Sequence, residues 1–436
     1  MLHSRLVSLL TCAGLASSMT FPIRRRQNSV YSLTSTEFGA IFEIEIKINN
    51  QSFYVVPDTG SSDLWVAVDT FQCVDPSTNT EIPQADCHFG STYTVPNSTV
   101  YVQNQTFGVQ YGSGIATGKV AYADVTVNGI TVKGQKIGLV DRTNDIGDGL
   151  GSGILGLGFP PLTSAHPGTE VDNTSLVSDR VVYDPVFVSM YNQGLVEPWY
   201  SFALLRPLRN SSTSPGGWFG LGELPPVAHS NDWAVKPIEV TEALPDVLTG
   251  GQRLISLMTL TVDGVVVKNN SMALPSGPSS PFQAVVDTGN PMNLLPMDVA
   301  ESINTAFNPV GVFNQESNRY IVDCNATTPD VGIILDGRTF WLKSPDDLIY
   351  YDTSGTCHSS IAPTAEGLGI ALNFLGDAFL SNVVAVFDFG KQEMRFAATT
   401  FNDSGAPPPF EGSAVVPDAS SFWPAALALA VALWHL

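Results

Sequence analysis

Charge is scarce in this 436-residue chain, and basic charge is scarcer still. Asp, Glu, Lys and Arg make up 14% of it, and 20 Lys and Arg face 41 Asp and Glu, for a formal net charge of −21. No basic stripe is available to grip a phosphate backbone, which excludes a nucleic-acid partner. Cysteine is sparse too, with five residues. No Cys-x-x-Cys pair of the kind that holds zinc occurs, and no metal or other cofactor is expected. No heptad repeat is present, no apolar run in the middle of the chain is long enough to span a bilayer, and helix signals are few. What the chain does have is apolar material, 44% by composition. That is ample core for the two or three domains its length allows. The acid surplus serves solubility. It equally suits residence at low pH, where protonation of carboxyls relieves self-repulsion.

The ends carry address signals. Residues 1–19 run from a short basic segment (His3, Arg5) through a mainly apolar stretch, Leu6 to Ala16, to Ser17, Ser18 and Met19. This reads as a secretory signal peptide. Arg24-Arg25-Arg26 reads as a site for a basic-residue-specific processing protease, with a solvated basic patch as the alternative, and cleavage after Arg26 would make residues 20–26 a short propeptide. At the other end, residues 422–436 form an apolar tail too short to span a membrane. Residues 401–421 serve as a linker, and Gly412-Ser413-Ala414 is the best small-residue triplet. Together they read as a signal for a glycolipid (GPI) anchor attached at Gly412. A membrane tail or a buried last helix remains the alternative. Cys12 leaves with the signal peptide. Four cysteines remain, Cys73, Cys87, Cys324 and Cys357, an even number suited to a secreted chain. Of the three pairings, Cys73–Cys87 with Cys324–Cys357 is expected, because each pair then lies within one half. Glycosylation sequons stand at Asn50, Asn97, Asn104, Asn173, Asn210, Asn269, Asn325 and Asn402.

Between the ends the chain reads as β-structure. Short runs rich in Val, Ile, Thr, Tyr and Phe are broken by Gly, Asn, Asp and Pro. From Phe42 to Ile48 the alternation is strict, which predicts Phe42, Ile44, Ile46 and Ile48 on one face and Glu43, Glu45 and Lys47 on the other. Asn128-Gly129 after Val120–Val127 and Asp263-Gly264 after Met258–Val262 are hairpin signals. Two helices are expected, Pro185 to Gln193 closed by Gly194, and Pro296 to Asn308 stopped by Pro309. Pro161 to Asp179 reads as a long surface loop.

The two halves repeat one order of motifs. An apolar strand enters Asp58-Thr59-Gly60 in the first and Asp287-Thr288-Gly289 in the second. Later in each comes an apolar pair followed by glycine, Ile154-Leu155-Gly156 and Phe374-Leu375-Gly376. One Asp-Thr-Gly turn arises by chance in about one chain in ten of this length, but two in matching contexts point to an internal duplication. The pairing has a chemical use. Hydrolysis of a peptide bond without metal or covalent intermediate needs a base to take a proton from water and an acid to give one to the carbonyl oxygen. Two aspartates a hydrogen bond apart cannot both ionise easily, so one stays neutral and serves as the acid. Gly60 and Gly289 allow close backbone approach, and Thr59 and Thr288 carry hydroxyls able to bond across the junction of the halves.

Asp58-Thr59-Gly60-Ser61-Ser62-Asp63-Leu64-Trp65-Val66 resembles the first active-site loop of the pepsin-like aspartic proteases. Tyr111-Gly112-Ser113-Gly114 is similar to the tip of that family's flap. Phe374 to Phe379 with Val386-Phe387-Asp388 resembles its second-lobe signature. The resemblance covers about residues 31 to 400. It implies a mainly β, bilobal fold with a few short helices and a cleft between the lobes, residues 27–205 forming one lobe and 206–400 the other. It also implies a monomeric endopeptidase acting on protein or peptide substrates at acidic pH, secreted and anchored to membrane or cell wall only through the lipid. Asp58 and Asp287 would be catalytic, and Tyr111, Gly112 and Ser113 would cover substrate, with the Tyr111 hydroxyl reaching towards Trp65. Thr59, Gly60, Ser61, Trp65, Thr288, Gly289 and Asn290 would support the site. The cleft is expected to favour large apolar side chains, while the acid surplus leaves basic ones open. Three features depart from the family's pattern. Asn290 replaces the usual hydroxyl residue, with an amide that could still donate. Ser152 stands where many relatives carry Asp. The propeptide is short. A catalytically silent, peptide-binding relative at the cell surface is the alternative reading.

Overall fold

The computed structural model describes residues 29–399 apart from 112–113, 145–146, 171–178, 207–210, 270–271, 274–280, 343–344, 353, 365 and 368–369. The signal peptide, propeptide, linker, Gly412 and apolar tail lie outside the described residues. So do Gly112, Ser113, Asn173, Asn210 and Asn402, and the side chain of Asn269. No helix of the described residues is long and apolar enough to cross a membrane.

Strands dominate, as the alternating patterns require, and helices are short and few. One sheet of 15 strands runs from the first half of the chain into a part built by both halves. In that shared part Val30–Thr36 pairs with Ser214–Leu221, which pairs with Trp199–Leu204. The order continues through Val383–Asp388 and Glu393–Ala398 to Ala234–Pro237. Its central side chains, among them Tyr200, Phe202, Phe219 and Phe387, are fully buried and pack ring against ring. The rest of the second half, among the described residues, is built on separate five-, four- and two-stranded sheets.

The duplicated motifs occupy equivalent places. Gln51–Asp58 runs parallel to Gly151–Gly156, with Asp58 opposite Gly156, and Gly151–Gly156 lies antiparallel to Leu64–Val74, the strand after the turn. In the second half Phe282–Val286 runs parallel to Phe374–Leu375, which lies antiparallel to Asn293–Leu295. Each Asp-Thr-Gly turn therefore emerges beside the apolar-apolar-Gly element of its own half. Contact there is tight: a Cβ on Gly156 would lie 2.3 Å from the Asp63 nitrogen, and one on Gly376 would lie 2.2 Å from the Asn290 oxygen.

Several local expectations change in three dimensions. In Ile41–Ile48 the residues Glu45 and Lys47 are exposed as the pattern predicts, but Glu43 is buried. At that end of the strand the second face is covered as well, by side chains that include Trp65 and Tyr111. Asn128 (φ 46°) and Gly129 (φ 75°) do turn a hairpin between Ile115–Val127 and Ile130–Asn144. Asp263-Gly264 does not: Thr259–Val262 pairs with Phe282–Val286 and Gly264–Asn269 with Asp330–Leu335, so the chain changes sheet there. The second-half hairpin instead turns at Asp336-Gly337, joining Asp330–Leu335 to Arg338–Leu342. The helices form at Val186–Asn192 and Met297–Thr305, each entered from a proline.

The segment after Pro161 is not a surface loop at its start. Thr163, Ser164, Ala165 and His166 are buried, and Ala165–Pro167 adds an edge strand to Val100–Gln110. Asp63 is the reason. Its buried carboxylate accepts the Ser164 N–H at 2.9 Å and the Tyr183 hydroxyl. Arg180 donates to the carbonyl of Leu162 and the hydroxyl of Ser164, each at 2.9 Å. Both expected disulfides form, Cys73–Cys87 and Cys324–Cys357, each inside its own half.

Gly156→Ala is expected to destabilise the fold by about 1–3 kcal/mol, the usual cost of forcing atoms into a packed site. An unchanged urea midpoint would show that the two strands can part to admit a methyl group.

Candidate active site

Asp58 is the last residue of Gln51–Asp58, and Asp287 follows directly on Phe282–Val286. Both turns point into the seam between the halves, and two threonines lock them there. The Thr59 hydroxyl donates to the Val286 carbonyl at 2.7 Å, and the Thr288 hydroxyl donates to the Pro57 carbonyl at 2.6 Å. Each hydroxyl also accepts the other threonine's N–H, Thr59 N–H to Thr288 at 3.1 Å and Thr288 N–H to Thr59 at 3.0 Å. Every donor in this buried crossing is used, and each half holds the backbone of the other.

The two carboxyls meet on the open side of the crossing, 7% and 8% exposed for Asp58 and Asp287, within hydrogen-bond reach of one another. Asp58 accepts the Gly60 N–H at 2.7 Å and the Ser61 hydroxyl. Asp287 accepts the Gly289 N–H at 2.9 Å. The glycines are needed for the approach: a Cβ on Gly60 would lie 2.7 Å from the Asp287 carboxyl oxygens, and one on Gly289 would lie 2.6 Å from Asp58 Oδ1. Burial holds the Asp287 carboxyl well above the usual carboxylate range, and the neighbouring Asp58 pushes it further the same way.

Asn290 does not fill the place of the expected hydroxyl. Its side-chain oxygen accepts the Met292 N–H at 3.0 Å, so it shapes its own turn, and no hydrogen bond joins its side-chain amide to the Asp287 carboxyl among the described residues. A third carboxyl stands behind the pair. Asp377 is buried, its Oδ1 has no partner, and its backbone N–H bonds to the Asn290 carbonyl at 2.8 Å. Burial, then the charges of Asp287 and Asp58, raise it well above the ordinary range.

On the other side of Asp58 the Trp65 indole N–H donates to the Tyr111 hydroxyl at 2.8 Å. That hydroxyl also hydrogen-bonds with Ser61, which in turn donates to Asp58. A continuous chain thus joins the flap tyrosine to the dyad. Sequence reasoning gave no role to two acids close by, Glu43 and Asp148. Glu43 was hidden by a strand pattern that put it on the outer face, and Asp148 has no local signature. Asn50, Asn97, Asn104 and Asn325 are exposed, as glycan attachment requires.

Comparisons with known proteins bear on the family and the fold. Residues 41–399 match the family model described as eukaryotic aspartyl protease. A probable aspartic-type endopeptidase of Aspergillus fumigatus is 38% identical over 84% of this chain and 81% of its own length. Mouse gastricsin is 29% identical over 81% of this chain and 79% of its own. A probable vacuolar protease A of Arthroderma benhamiae is 28% identical over 81% of this chain and 77% of its own. In fold, the chain is similar to the aspartic proteinase of Irpex lacteus, with a TM-score of 0.63, covering 87% of this chain and 99% of that one at 18% identity.

The buried acids set a pH dependence of stability. Glu43, Asp63, Asp287 and Asp377 all bind their protons more tightly folded than unfolded, burial being the first cause in each. Their contribution is complete below the unfolded carboxyl range, about pH 4, and is lost as pH rises through the raised folded values. Exposed Asp75 and Asp124, lowered by hydrogen bonds from Ser77 and Lys133, act oppositely but lie in solvent. The urea midpoint should therefore fall between about pH 4.5 and pH 7.5. A midpoint that holds or rises across that interval would contradict the assignment.

Proposed function

The chain belongs to the eukaryotic aspartyl protease family and is an aspartic-type endopeptidase, and from that premise we propose that Asp58 and Asp287 hydrolyse peptide bonds at acidic pH by activating a water between them. The observation that carries this is the pair of buried carboxyls held together across the seam by the threonine crossing.

The two aspartates have different surroundings, and these suggest different roles. Asp287, whose proton is held tightly, is the acid that donates to the substrate's carbonyl oxygen. Asp58, which accepts from Gly60 and Ser61, is the base that takes a proton from the attacking water. The product of this step is a tetrahedral diol. Collapse returns the diol's proton to Asp287 while Asp58 passes its proton to the leaving nitrogen. The dyad is then as it began, and the two carboxyls titrate as a unit. Tyr111, fixed by Trp65, closes one wall over the bound peptide. Asp377 adds a neutral acid behind the Asn290 turn, in a region where more negative charge would oppose ionisation of Asp287.

The finer features of the reading follow. The protein works as a monomer, with one lobe over residues 27–205 and the other over 206–400. It enters the secretory pathway by residues 1–19, is trimmed after Arg26, carries glycans on its exposed sequons and is held at the cell surface by a lipid at Gly412. The unfilled place beside Asp287 is the one observation that favours a silent, peptide-binding relative, and the first test below decides between them.

Asp287→Asn should lower kcat for an unstructured protein substrate by about 10²–10⁴-fold, the usual worth of a catalytic acid. Wild-type hydrolysis should be blocked by a statine-type inhibitor. A wild-type protein that binds such inhibitors but cleaves nothing between acidic and neutral pH would establish the silent reading. Asn290→Thr supplies a hydroxyl that can donate to ionised Asp287. It favours the charged form and so should move the alkaline limb of the kcat/KM profile to lower pH. An unmoved limb would mean that Asp287 does not set it.

A further inference from the structure

A hollow opens beside the dyad, on the first-half side of the cleft. Trp65, Tyr111, Phe89 and Val56 wall it, and Gly151 and Gly153 leave one flank bare. It adjoins the reacting groups: Val56 lies two residues before Asp58, and the Tyr111 hydroxyl reaches Asp58 through Ser61. Glu43 and Asp148 also line it, and none of its lining residues is basic.

The two acids are in different states of satisfaction. Asp148 is occupied. It accepts the N–H groups of Leu150 at 3.0 Å and Gly151 at 2.7 Å, and the Thr36 hydroxyl at 2.5 Å. Glu43 is 0% exposed, and neither of its carboxyl oxygens has a partner among the described residues. It leans over bare backbone, where a Cβ on Gly151 would lie 2.3 Å from its Oε1. A buried carboxyl with no donor opposes folding, and no group among the described residues supplies one to Glu43.

We propose that this hollow is a substrate subsite for a cationic side chain, lysine or arginine, with Glu43 as the counter-ion. The proposal rests on the peptide-hydrolase reading above and takes up the basic side chains that the sequence left open beside the apolar ones. The flat apolar walls suit the methylene stem of such a side chain, and the acid at the end suits its head. Free of substrate the hollow is narrow, with room for about one water, so the stem enters as the Tyr111 or Phe89 ring gives way. Without a cation beside it, the Glu43 carboxyl is pushed well above the usual carboxylate range by burial and then by the charges of Asp148 and Glu37. An arriving ammonium or guanidinium favours its ionised form and forms a charge-assisted hydrogen bond. Glu43 touches the substrate side chain and no reacting atom, so it determines specificity and takes no part in the chemistry.

The test is a series of statine-core peptides in which one lysine is moved through the three positions on either side of the core, each compared with its norleucine twin. At one position lysine should bind about tenfold or more tightly than norleucine, as expected for a hydrogen bond to a charged group. Glu43→Gln, close to the neutral acid in shape, should bring that ratio to near one, and Glu43→Leu should invert it. Each variant's fold is checked by its thermal transition. Equal or tighter norleucine binding at every position, or a lysine preference that survives Glu43→Gln, would overturn the proposal. Because inhibitor binding needs no turnover, a lysine preference in a protein that hydrolyses nothing would uphold the pocket and sink the catalytic reading instead.

Discussion

The crossing of Thr59 and Thr288 is the interaction on which the rest of the site depends. A carboxyl pair can share a proton only if both groups are held within a hydrogen bond of each other, against their mutual repulsion and their cost of burial. Side-chain flexibility alone would let them part. Here each hydroxyl is tied to the backbone of the opposite half and each N–H to the opposite hydroxyl. Relative motion of the turns then breaks several buried bonds at once. The shared sheet outside this point, from Val30–Thr36 through Val383–Asp388 to Ala234–Pro237, keeps the halves from sliding.

Around that point the chain buries several acids. Asp63 organises the segment that follows Phe159, Asp377 stands behind the second turn, and Glu43 ends the hollow beneath Tyr111. Only Asp63 is well supplied with donors. Glu43 and one oxygen of Asp377 lack them, as befits groups that stay protonated, or whose partner comes from outside. The unfavourable placement of these acids becomes tolerable in acid, where the protons they need are abundant.

Much of this was legible in the sequence, for identifiable reasons. The dyad, the glycines and the threonines were readable because they recur, and a repeated turn in a repeated context leaves few alternatives. Gly156 and Gly376 were readable as partners of the two turns because each follows an apolar pair at the same place in its half. The failures were positional. Alternation put Glu43 outside, because period two assigns a face but cannot say whether that face is later covered. Asp263-Gly264 has the composition of a hairpin turn, yet the strands on either side join different sheets. The burial of Thr163 to His166 depends on Asp63, about 100 residues earlier, and no local pattern carries that. Asn290 could be seen to lack a hydroxyl, but only the fold shows that its side chain turns to Met292 instead.

The reciprocity of the threonine crossing also bears on how such a chain can vary. The two halves are free to differ over much of their length, with unlike sheets and with disulfides that close loops of different size. At the crossing that freedom ends. Thr59 answers to the carbonyl of Val286 and Thr288 to that of Pro57, so the place of each residue is decided in the other half. A substitution in either Asp-Thr-Gly turn is therefore felt in both, and the two turns behave as a single part made from two distant stretches of chain.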